Sequence, residues 1–307
     1  MSKTILLFPG QGAQFVGMGK AIAETYAPAK EILEKADHIL GFSLSSLMFE
    51  GPEDSLKSTD NTQPALFTHS MMVMAALREE GIPFDMVAGH SLGEYSAICA
   101  AGGFSFEEGL KLVRTRGELM ASAGSRNPGS MAAVMGQDES QIEALCAEAS
   151  AAGVVVPANF NCPGQIVVSG SVAGVARLVE ICAERGIKAV PLAVSGAFHS
   201  ELMEFAKPGL AEAVAKTAFK DLSVPLIANV TAKPVTSGKE IAELLVKQLV
   251  SPVRWNQAMD FAIAEGVTQG IEVGPGKVLM GLARKISRDL KVTSVDTLEA
   301  VKALKGA

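Results

Sequence analysis

One short segment decides how the chain is interpreted: Met86-Val87-Ala88-Gly89-His90-Ser91-Leu92-Gly93-Glu94. Its apolar start has the length and character of a buried strand, and the residues after Gly93 continue in a helical pattern. Gly-x-Ser-x-Gly between a strand and a helix is typical of a nucleophile elbow, in which small residues permit a sharp turn and the serine projects at the head of the helix. Ser91 is therefore a candidate nucleophile. The alternative is a tight strand-to-helix turn whose serine is incidental.

Strand and helix patterns alternate on both sides of this segment. Apolar runs predict strands at residues 5–8, 86–90, 226–229 and 270–273. Amphipathic spacing predicts helices at residues 16–40, 63–80, 94–101 and 240–249. Strands separated by helices indicate an α/β fold with a parallel sheet.

Residues 130–194 follow a different order, which predicts an inserted subdomain. Strands are expected at residues 131–135, 154–157, 166–169 and 188–194, and helices at 139–149 and 172–185. This βαββαβ order is ferredoxin-like. The turn-forming residues at 122–129 suit a hinge before it. The predicted division is a core of residues 1–127 and 196–307 that holds an insert of residues 128–195.

Composition limits the classes of partner. The chain has 307 residues, 48% of them hydrophobic, and a net charge of −6. Without a run of Lys or Arg it lacks the basic face that nucleic acids require. The sequence shows neither a membrane span nor a helix with a Lys-rich face and exposed aromatic residues. We therefore expect no nucleic acid and no membrane as partner.

The cysteines and the first apolar run bear on location and metals. Cys99, Cys146, Cys162 and Cys182 have neither C-x-x-C spacing nor a histidine at metal-ligand spacing. The apolar run at residues 5–8 is too short for a signal sequence. We therefore expect buried thiols, no metal and a cytoplasmic protein.

The serine needs a base, and the chain offers four histidines. His38 and His69 lie within predicted helices and are expected to be surface or packing residues. The side chain of His90 should point away from Ser91, because neighbouring residues of a strand face opposite sides. His199 follows the last predicted strand of the insert, in a loop from which an imidazole can reach the site. No Asp or Glu is assignable as a third member, so a dyad oriented by a neutral group remains open.

The loop Pro9-Gly10-Gln11-Gly12 follows the first predicted strand and permits close approach of a ligand to the backbone. An amide of this loop is a candidate second donor to an oxyanion, the first being the N–H of Leu92. Two phosphate-binding motifs fit poorly. The dinucleotide pattern lacks its third glycine at Phe15, and the P-loop pattern has Met18 in place of lysine.

The local sequence around several other polar residues does not indicate a function. Arg116 lies in a helical stretch, where an arginine is usually solvated or in a surface pair. Gln248 has the pattern of a surface amide at a helix end. Asn159, Asn161 and Asn229 lie at or just past predicted strand ends and are not assigned a role.

Several motifs occur in one order along nearly the whole chain: Phe8-Pro9-Gly10-Gln11-Gly12, Gly89-His90-Ser91-Leu92-Gly93-Glu94, Arg114-x-Arg116-Gly117, Gly196-Ala197-Phe198-His199-Ser200, Gln248-Leu249-x-x-Pro252-Val253-x-Trp255 and Glu272-Val273-Gly274-Pro275-Gly276. Together they resemble the bacterial malonyl-CoA:acyl carrier protein transacylases. The resemblance implies an α/β-hydrolase-like core with a ferredoxin-like insert. It also implies a ping-pong transfer from malonyl-CoA to acyl carrier protein, for fatty acid or polyketide synthesis.

The same resemblance implies the roles of the site residues. Ser91 carries the acyl group, His199 is the base and acid, and the Gln11 and Leu92 amides form the oxyanion hole. Arg116 pairs with the malonate carboxylate, and Gln248 holds His199 through a neutral oxygen. A monomer without a cofactor is expected.

Two residue sets bear on selectivity and docking. In related polyketide synthase domains, an aromatic residue at the position of Phe198 accompanies malonyl preference over methylmalonyl. Lys277 and Arg284 are candidates for docking an acidic carrier protein, with ordinary solvation as the alternative.

Two other functions remain open at this point. A serine hydrolase would use the same nucleophile with water as acceptor, and a catalytically silent protein would only bind the acyl group or the carrier.

Overall fold

The computed structural model describes residues 3–194 and 196–306. Its strands are β1 (Lys3–Phe8), β2 (Met86–Gly89), β3 (Gly129–Met135), β4 (Val155–Cys162), β5 (Gln165–Ser171), β6 (Ala189–Pro191), β7 (Leu226–Ile227), β8 (Pro234–Val235), β9 (Val267–Val273) and β10 (Lys291–Val295). Its α-helices are α1 (Lys20–Thr25), α2 (Ala27–Leu40), α3 (Leu44–Glu50), α4 (Glu53–Lys57), α5 (Thr59–Glu79), α6 (Gly93–Ala100), α7 (Phe106–Ala121), α8 (Ala123–Arg126), α9 (Glu139–Ala149), α10 (Val172–Glu184), α11 (Lys207–Ala215), α12 (Gly238–Gln248), α13 (Trp255–Ala264), α14 (Val278–Ile286) and α15 (Leu298–Ala303). Short 3-10 helices occupy Ser150–Ala152, Glu201–Ala206 and Leu304–Gly306.

The larger sheet has the strand order β10-β9-β1-β2-β7-β8. Its strands pair in parallel except β8, which runs antiparallel to β7. Alternate residues of β1 enter the cores on opposite faces, with Leu6 and Phe8 on one side and Ile5 and Leu7 on the other. Burial on both faces explains why this strand reads as a continuous apolar run. The prediction of a parallel α/β sheet is confirmed.

The smaller sheet has the order β4-β5-β3-β6 and is antiparallel. It has its own apolar core against α9 and α10, in which Val134, Leu145, Val168 and Leu178 are buried. All strands of this sheet come from the stretch predicted as an insert. A single bridge between Pro128 and Gly196 brings together the chain entering this stretch and the chain leaving it.

The helix predicted over residues 16–40 is two helices. Gly17 and Gly19 have positive φ angles of 100° and 78°, so α1 begins only after them. It ends before Tyr26, which is extended, and α2 starts immediately afterwards. Pro28 explains the break, because proline has no N–H to continue a helix but is tolerated in a first turn.

The last predicted strand of the insert is also shorter than expected. Residues 188–194 were expected to form a strand, and only Ala189–Pro191 does so. Pro191 offers no N–H to a ladder, which limits the strand to an edge position beside β3. Leu192 and Val194 instead line the cleft described below. The hinge predicted at residues 122–129 contains the short helix α8.

Two other expectations concern membranes and thiols. Among the residues that the structure describes, no helix combines the length and the apolar character needed to cross a bilayer. The four cysteines are free and buried, as predicted.

Two glycines make the turn after β2 possible. A Cβ atom on Gly89 would lie 1.9 Å from the main-chain carbon of Gly93. A Cβ atom on Gly93 would lie 2.0 Å from the carbonyl oxygen of Phe8, at the end of β1. These neighbours are backbone atoms and cannot rotate away. Helix α6 therefore packs directly on the carboxyl end of β1, and only glycine allows that distance.

We expect Gly93→Ala to lower the free energy of unfolding by about 3 kcal/mol or more, because the added methyl group must displace β1 from α6. Urea unfolding monitored by circular dichroism measures the change. Gly281→Ala is the matched control, since Gly281 lies in α14 with open space around its missing Cβ. That substitution should stabilise the protein by up to about 1 kcal/mol. Equal midpoints for Gly93→Ala and the parent protein would contradict the packing argument.

Candidate active site

Ser91 lies at the carboxyl edge of the larger sheet, between β2 and α6. Its φ angle is 52°, a left-handed conformation that is unfavourable for a residue other than glycine. Two side chains hold its main chain in that conformation. Asn229 Oδ1 accepts the Ser91 N–H at 2.8 Å, and Gln248 Nε2 donates to the Ser91 carbonyl at 2.9 Å. The strained backbone is thus fixed by its surroundings, as is common at functional sites.

His199 is in hydrogen-bonding contact with the serine. Its Nε2 lies 2.8 Å from Ser91 Oγ, although the two residues are 108 positions apart in the chain. Its Nδ1 lies 2.9 Å from the carbonyl oxygen of Gln248 and 3.1 Å from that of Ser251. Carbonyl oxygens only accept, so the proton must sit on Nδ1. Nε2 is then an acceptor and faces the serine hydroxyl, which is the arrangement a general base requires.

The environment of His199 keeps its imidazole neutral. The side chain is buried, and no carboxylate contacts either nitrogen among the hydrogen bonds of the described residues. Burial, together with the positive charge of Arg116, lowers the pKa of His199 to about 3. At neutral pH the imidazole is therefore free to accept a proton.

Arg116 is buried beside the serine, contrary to the solvated position that helical arginines usually take. It is only 1% exposed. Its Nη2 lies 3.2 Å from Ser91 Oγ and donates to Gln248 Oε1 at 3.0 Å. Its Nη1 donates to Gln63 Oε1 at 2.8 Å, and the guanidinium carbon lies 5.3 Å from the centre of the Tyr95 ring. No carboxylate pairs with this cation within the part of the chain described, which leaves a buried positive charge beside Ser91.

Gln248 is the last residue of α12 and is completely buried, so the expectation of a surface amide from its own pattern is wrong. Its side chain contacts Arg116, the Ser91 carbonyl and the Glu94 carboxylate. The oxygen that contacts His199 belongs to its main chain, not to its side-chain amide.

Gln11 and Leu92 line the cleft together with Ser91. Gln11 follows β1, and Leu92 stands directly before α6. Among the described residues, the main-chain N–H of neither residue donates to another group. Two amides at the ends of adjacent parallel strands are thus available to a bound oxygen atom.

The cleft that contains these groups is small, with a volume of about 120 Å³. Apolar side chains form one wall, among them Met120, Met131, Leu192, Val194 and Phe198. The polar groups Ser91, His199 and Arg116 face this wall. The space suits a short acyl group with a polar end better than a long aliphatic chain.

The remaining histidines take no part in this contact. His90 lines the cleft, but its Nε2 lies 2.9 Å from Asn161 Oδ1 and its ring packs against Trp255. His69 is buried at α5, and His38 lies on α2. Within the residues described, no group of three or more His, Cys, Asp or Glu side chains is arranged to hold a metal ion.

The sequence matches the family described as "Acyl transferase domain" over residues 5–301. The chain belongs to this acyl transferase family. The malonyl CoA-acyl carrier protein transacylase of Bacillus subtilis (strain 168) is 48% identical to it over 303 residues, which cover 98% of this chain and 96% of the relative. The enzyme of the same name from Staphylococcus aureus (strain COL) is 47% identical over 304 residues and 98% of both chains.

Solved structures give the same result for the fold of this acyl transferase. An acyl-carrier-protein-S-malonyltransferase from Bartonella henselae superimposes with a TM-score of 0.96 and 42% identity, over 98% of both chains. A malonyl-transacylase in complex with a type II PKS acyl-carrier protein has a TM-score of 0.96 and 37% identity, over 100% of both chains.

Two buried polar residues of the acyl transferase site were not predicted from the sequence. Glu94 is the last residue of the elbow motif and is 2% exposed. Its carboxylate accepts from the Asn229 N–H and from the Gln248 side-chain amide. Burial raises its pKa to about 7. Gln63 holds Arg116 from the opposite side. In both cases the polar residue stands directly before a mainly apolar stretch of a helix, which is the local pattern that could have marked it.

The residues suggested for carrier docking lie away from the cleft. Lys277 stands at the start of α14 and Arg284 on that helix, where Arg284 lines a separate surface depression. Neither lines the acyl transferase cleft.

We expect the His199 ring of the acyl transferase to stay neutral from pH 8 to pH 5 because its pKa is about 3. Nitrogen-15 NMR of the imidazoles, with His199 assigned by its loss in His199→Gln, measures this. Unfolding returns the group to its ordinary value of 6.5, so the unfolded chain binds the extra proton between these two values. The contribution of His199 therefore lowers the free energy of unfolding as the pH falls below 6.5. A titration midpoint near 6.5 in the folded protein would contradict this account.

Proposed function

We propose that this chain transfers a malonyl group from malonyl-CoA to the phosphopantetheine thiol of acyl carrier protein, through an ester on Ser91. The observation that carries the proposal is the buried guanidinium of Arg116, 3.2 Å from the Ser91 hydroxyl. An ester formed on that hydroxyl places its free carboxylate within reach of this cation. Planar guanidinium groups bind carboxylates through two parallel hydrogen bonds. The relatives named above act on the same substrate class by name.

Acylation begins at the Ser91–His199 contact. His199 Nε2 takes the hydroxyl proton while Ser91 Oγ attacks the thioester carbonyl carbon. Collapse of the tetrahedral intermediate breaks the carbon–sulfur bond, and the CoA sulfur leaves with the proton from His199. The Ser91 ester is the product of this half-reaction, and the histidine is neutral again.

The oxyanion of the intermediate lies between the main-chain N–H groups of Gln11 and Leu92. Both residues line the cleft, and neither amide has another acceptor among the described residues. Fixed donors of this kind stabilise developing charge without reorganisation.

Deacylation is the reverse chemistry with a different thiol. His199 accepts the proton of the phosphopantetheine thiol, and the thiolate attacks the ester carbonyl. The carbon–oxygen bond breaks, and Ser91 recovers its proton from His199. Gln248 acts here through its main-chain oxygen, which keeps the Nδ1 proton in place and replaces the carboxylate of a triad.

The fold proposed for the two parts follows from their elements. We assign residues 1–127 and 196–307 to an α/β-hydrolase-like core and residues 128–195 to a ferredoxin-like subdomain. The separate apolar core of the smaller sheet and its βαββαβ order support this division. Ser195, at the proposed boundary, lies outside the described residues, as do residues 1, 2 and 307. The monomeric state and the cytoplasmic location stay predictions from the sequence.

Incubation with malonyl-CoA should increase the mass of the protein by one malonyl group, because the ester survives until an acceptor thiol arrives. Intact-protein mass spectrometry detects the adduct. Ser91→Ala should abolish it, and Ser125→Ala, which removes an exposed hydroxyl, should leave it unchanged. Adding the carrier protein should then discharge the adduct faster than buffer alone does. Equal discharge with and without carrier would identify a hydrolase, and the absence of any adduct would contradict the covalent mechanism.

Replacing Arg116 should separate malonyl from acetyl substrates. We expect Arg116→Ala to lower kcat/KM for malonyl-CoA by about 100-fold or more, because a charge-assisted bidentate contact is lost, while acetyl-CoA has no carboxylate to lose. Steady-state transfer rates with both substrates measure the effect. Lys111→Ala, an exposed cation on the same helix, is the control and should change neither rate. An equal loss for both substrates would show that Arg116 serves only the fold.

A further inference from the structure

Glu94 is a buried carboxylate that the mechanism above does not use. It stands in the first turn of α6, three residues after the nucleophile, and is 2% exposed. Its Oε1 accepts the main-chain N–H of Asn229 at 2.8 Å, and its Oε2 accepts Nε2 of Gln248. It forms no ion pair with any described residue. Burying a carboxylate without a cation is costly, so its surroundings indicate a specific task.

Both partners of Glu94 also hold Ser91. Asn229 accepts the Ser91 N–H and donates its Nδ2 to the carbonyl of Gly89 at 2.7 Å. Gln248 donates to the Ser91 carbonyl through the same Nε2 that contacts Glu94. One carboxylate thus connects the two side chains that fix the strained peptide groups of the nucleophile.

The same contact decides which way the Gln248 amide points. The Ser91 carbonyl oxygen only accepts, and Glu94 Oε2 accepts from the same nitrogen, so the side of Gln248 that faces both must be its NH₂ group. Its oxygen is thereby turned toward Arg116 and accepts from Nη2 at 3.0 Å. With Gln63 holding Nη1, the guanidinium has a single orientation.

We propose that Glu94 is a positioning residue for malonyl selectivity, because it orients the Gln248 amide and so aims the Arg116 guanidinium at the acyl group on Ser91. This inference rests on the proposed role of Arg116 in binding the malonate carboxylate. Glu94 touches neither the substrate nor the reacting atoms, and its effect passes through Gln248.

The isosteric substitution Glu94→Gln tests whether residue 94 orients the Gln248 amide and, through it, the Arg116 guanidinium. The Asn229 N–H requires an oxygen at one end of the new amide, which leaves an NH₂ group facing the NH₂ group of Gln248. Two donors cannot bond to each other, so the contact that held the Gln248 amide is lost and the amide is free to turn over. Its NH₂ group then faces Arg116, and its oxygen faces the Ser91 carbonyl. The guanidinium loses an acceptor and gains a repulsive neighbour.

The experiment measures kcat/KM for malonyl-CoA and for acetyl-CoA in the full chain, and the malonyl-to-acetyl ratio is the readout. We expect Glu94→Gln to lower this ratio roughly 10- to 100-fold, as a misdirected charged contact does. A role confined to the Ser91 backbone would lower both rates equally and leave the ratio unchanged, which would overturn the proposal.

Glu272→Gln is the matched control. Among the described residues Glu272 is a second buried carboxylate, and it accepts hydrogen bonds from the N–H groups of Leu279 and Met280. The Glu272→Gln substitution should lower the free energy of unfolding and leave the malonyl-to-acetyl ratio at the parent value. A fall of the ratio in this variant as well would attribute the effect to general loosening of the fold and overturn the proposal.

Two further variants keep the test decisive. If Glu94→Gln does not fold, Gln248→Leu removes the oriented amide directly and should lower the ratio similarly, whereas an unchanged ratio would overturn the proposal. The double variant Glu94→Gln/Arg116→Ala should show no further loss of ratio beyond Arg116→Ala. If Arg116→Ala leaves the ratio unchanged, the proposed function fails. If Arg116→Ala lowers it and Glu94→Gln does not, only the role of Glu94 fails.

Discussion

The contact between Gly93 and the end of β1 is the constraint on which the site depends. Because Gly93 has no side chain, α6 approaches within touching distance of the Phe8 carbonyl. Between β2 and this contact the chain turns sharply, and Ser91 takes a left-handed conformation. Its hydroxyl therefore stands clear of both elements, in front of His199. The position of the reactive oxygen thus depends on backbone packing and on the Asn229 and Gln248 side chains that hold the Ser91 peptide groups.

Around this turn neutral peptide and amide groups occupy the positions where a charged partner for His199 or Arg116 would be expected. His199 is oriented by the main-chain oxygens of Gln248 and Ser251, so its imidazole faces no carboxylate. The negative charge of the site, on Glu94, is kept on the far side of Gln248. Arg116 is therefore not neutralised by a direct partner, and under the proposed function a substrate carboxylate completes its coordination. If an Asp or Glu side chain oriented His199, its carboxylate would lie close to Arg116 and compete with the substrate carboxylate for the guanidinium.

Much of this arrangement was predictable from local sequence, and the failures have physical causes. The elbow at Ser91, the parallel sheet and the separate order of the insert each follow from patterns within a few residues. His199 was the best candidate for the general base because the other histidines fall inside predicted helices or strands. Arg116 and Gln248 were not predictable from their own surroundings, since each lies on a helix pattern that resembles a solvated face. Glu94 precedes an apolar stretch of α6, but that pattern does not name its partners. Their burial arises from contacts with segments more than twenty residues away, which periodicity does not report. The helix predicted over residues 16–40 was wrong because Gly17, Gly19 and Pro28 interrupt its pattern, and the strand predicted over residues 188–194 is short because Pro191 limits it.

The order of the catalytic partners along the chain has a consequence for biosynthesis. Ser91 is made before the smaller sheet, and His199 comes directly after it. While the next hundred or so residues are synthesised, a growing chain therefore contains the elbow but not yet His199. Nucleophile and base meet only when the insert has folded and returned the chain to the core. Under the proposed mechanism, we therefore expect reactivity of Ser91 to appear together with the completed cleft.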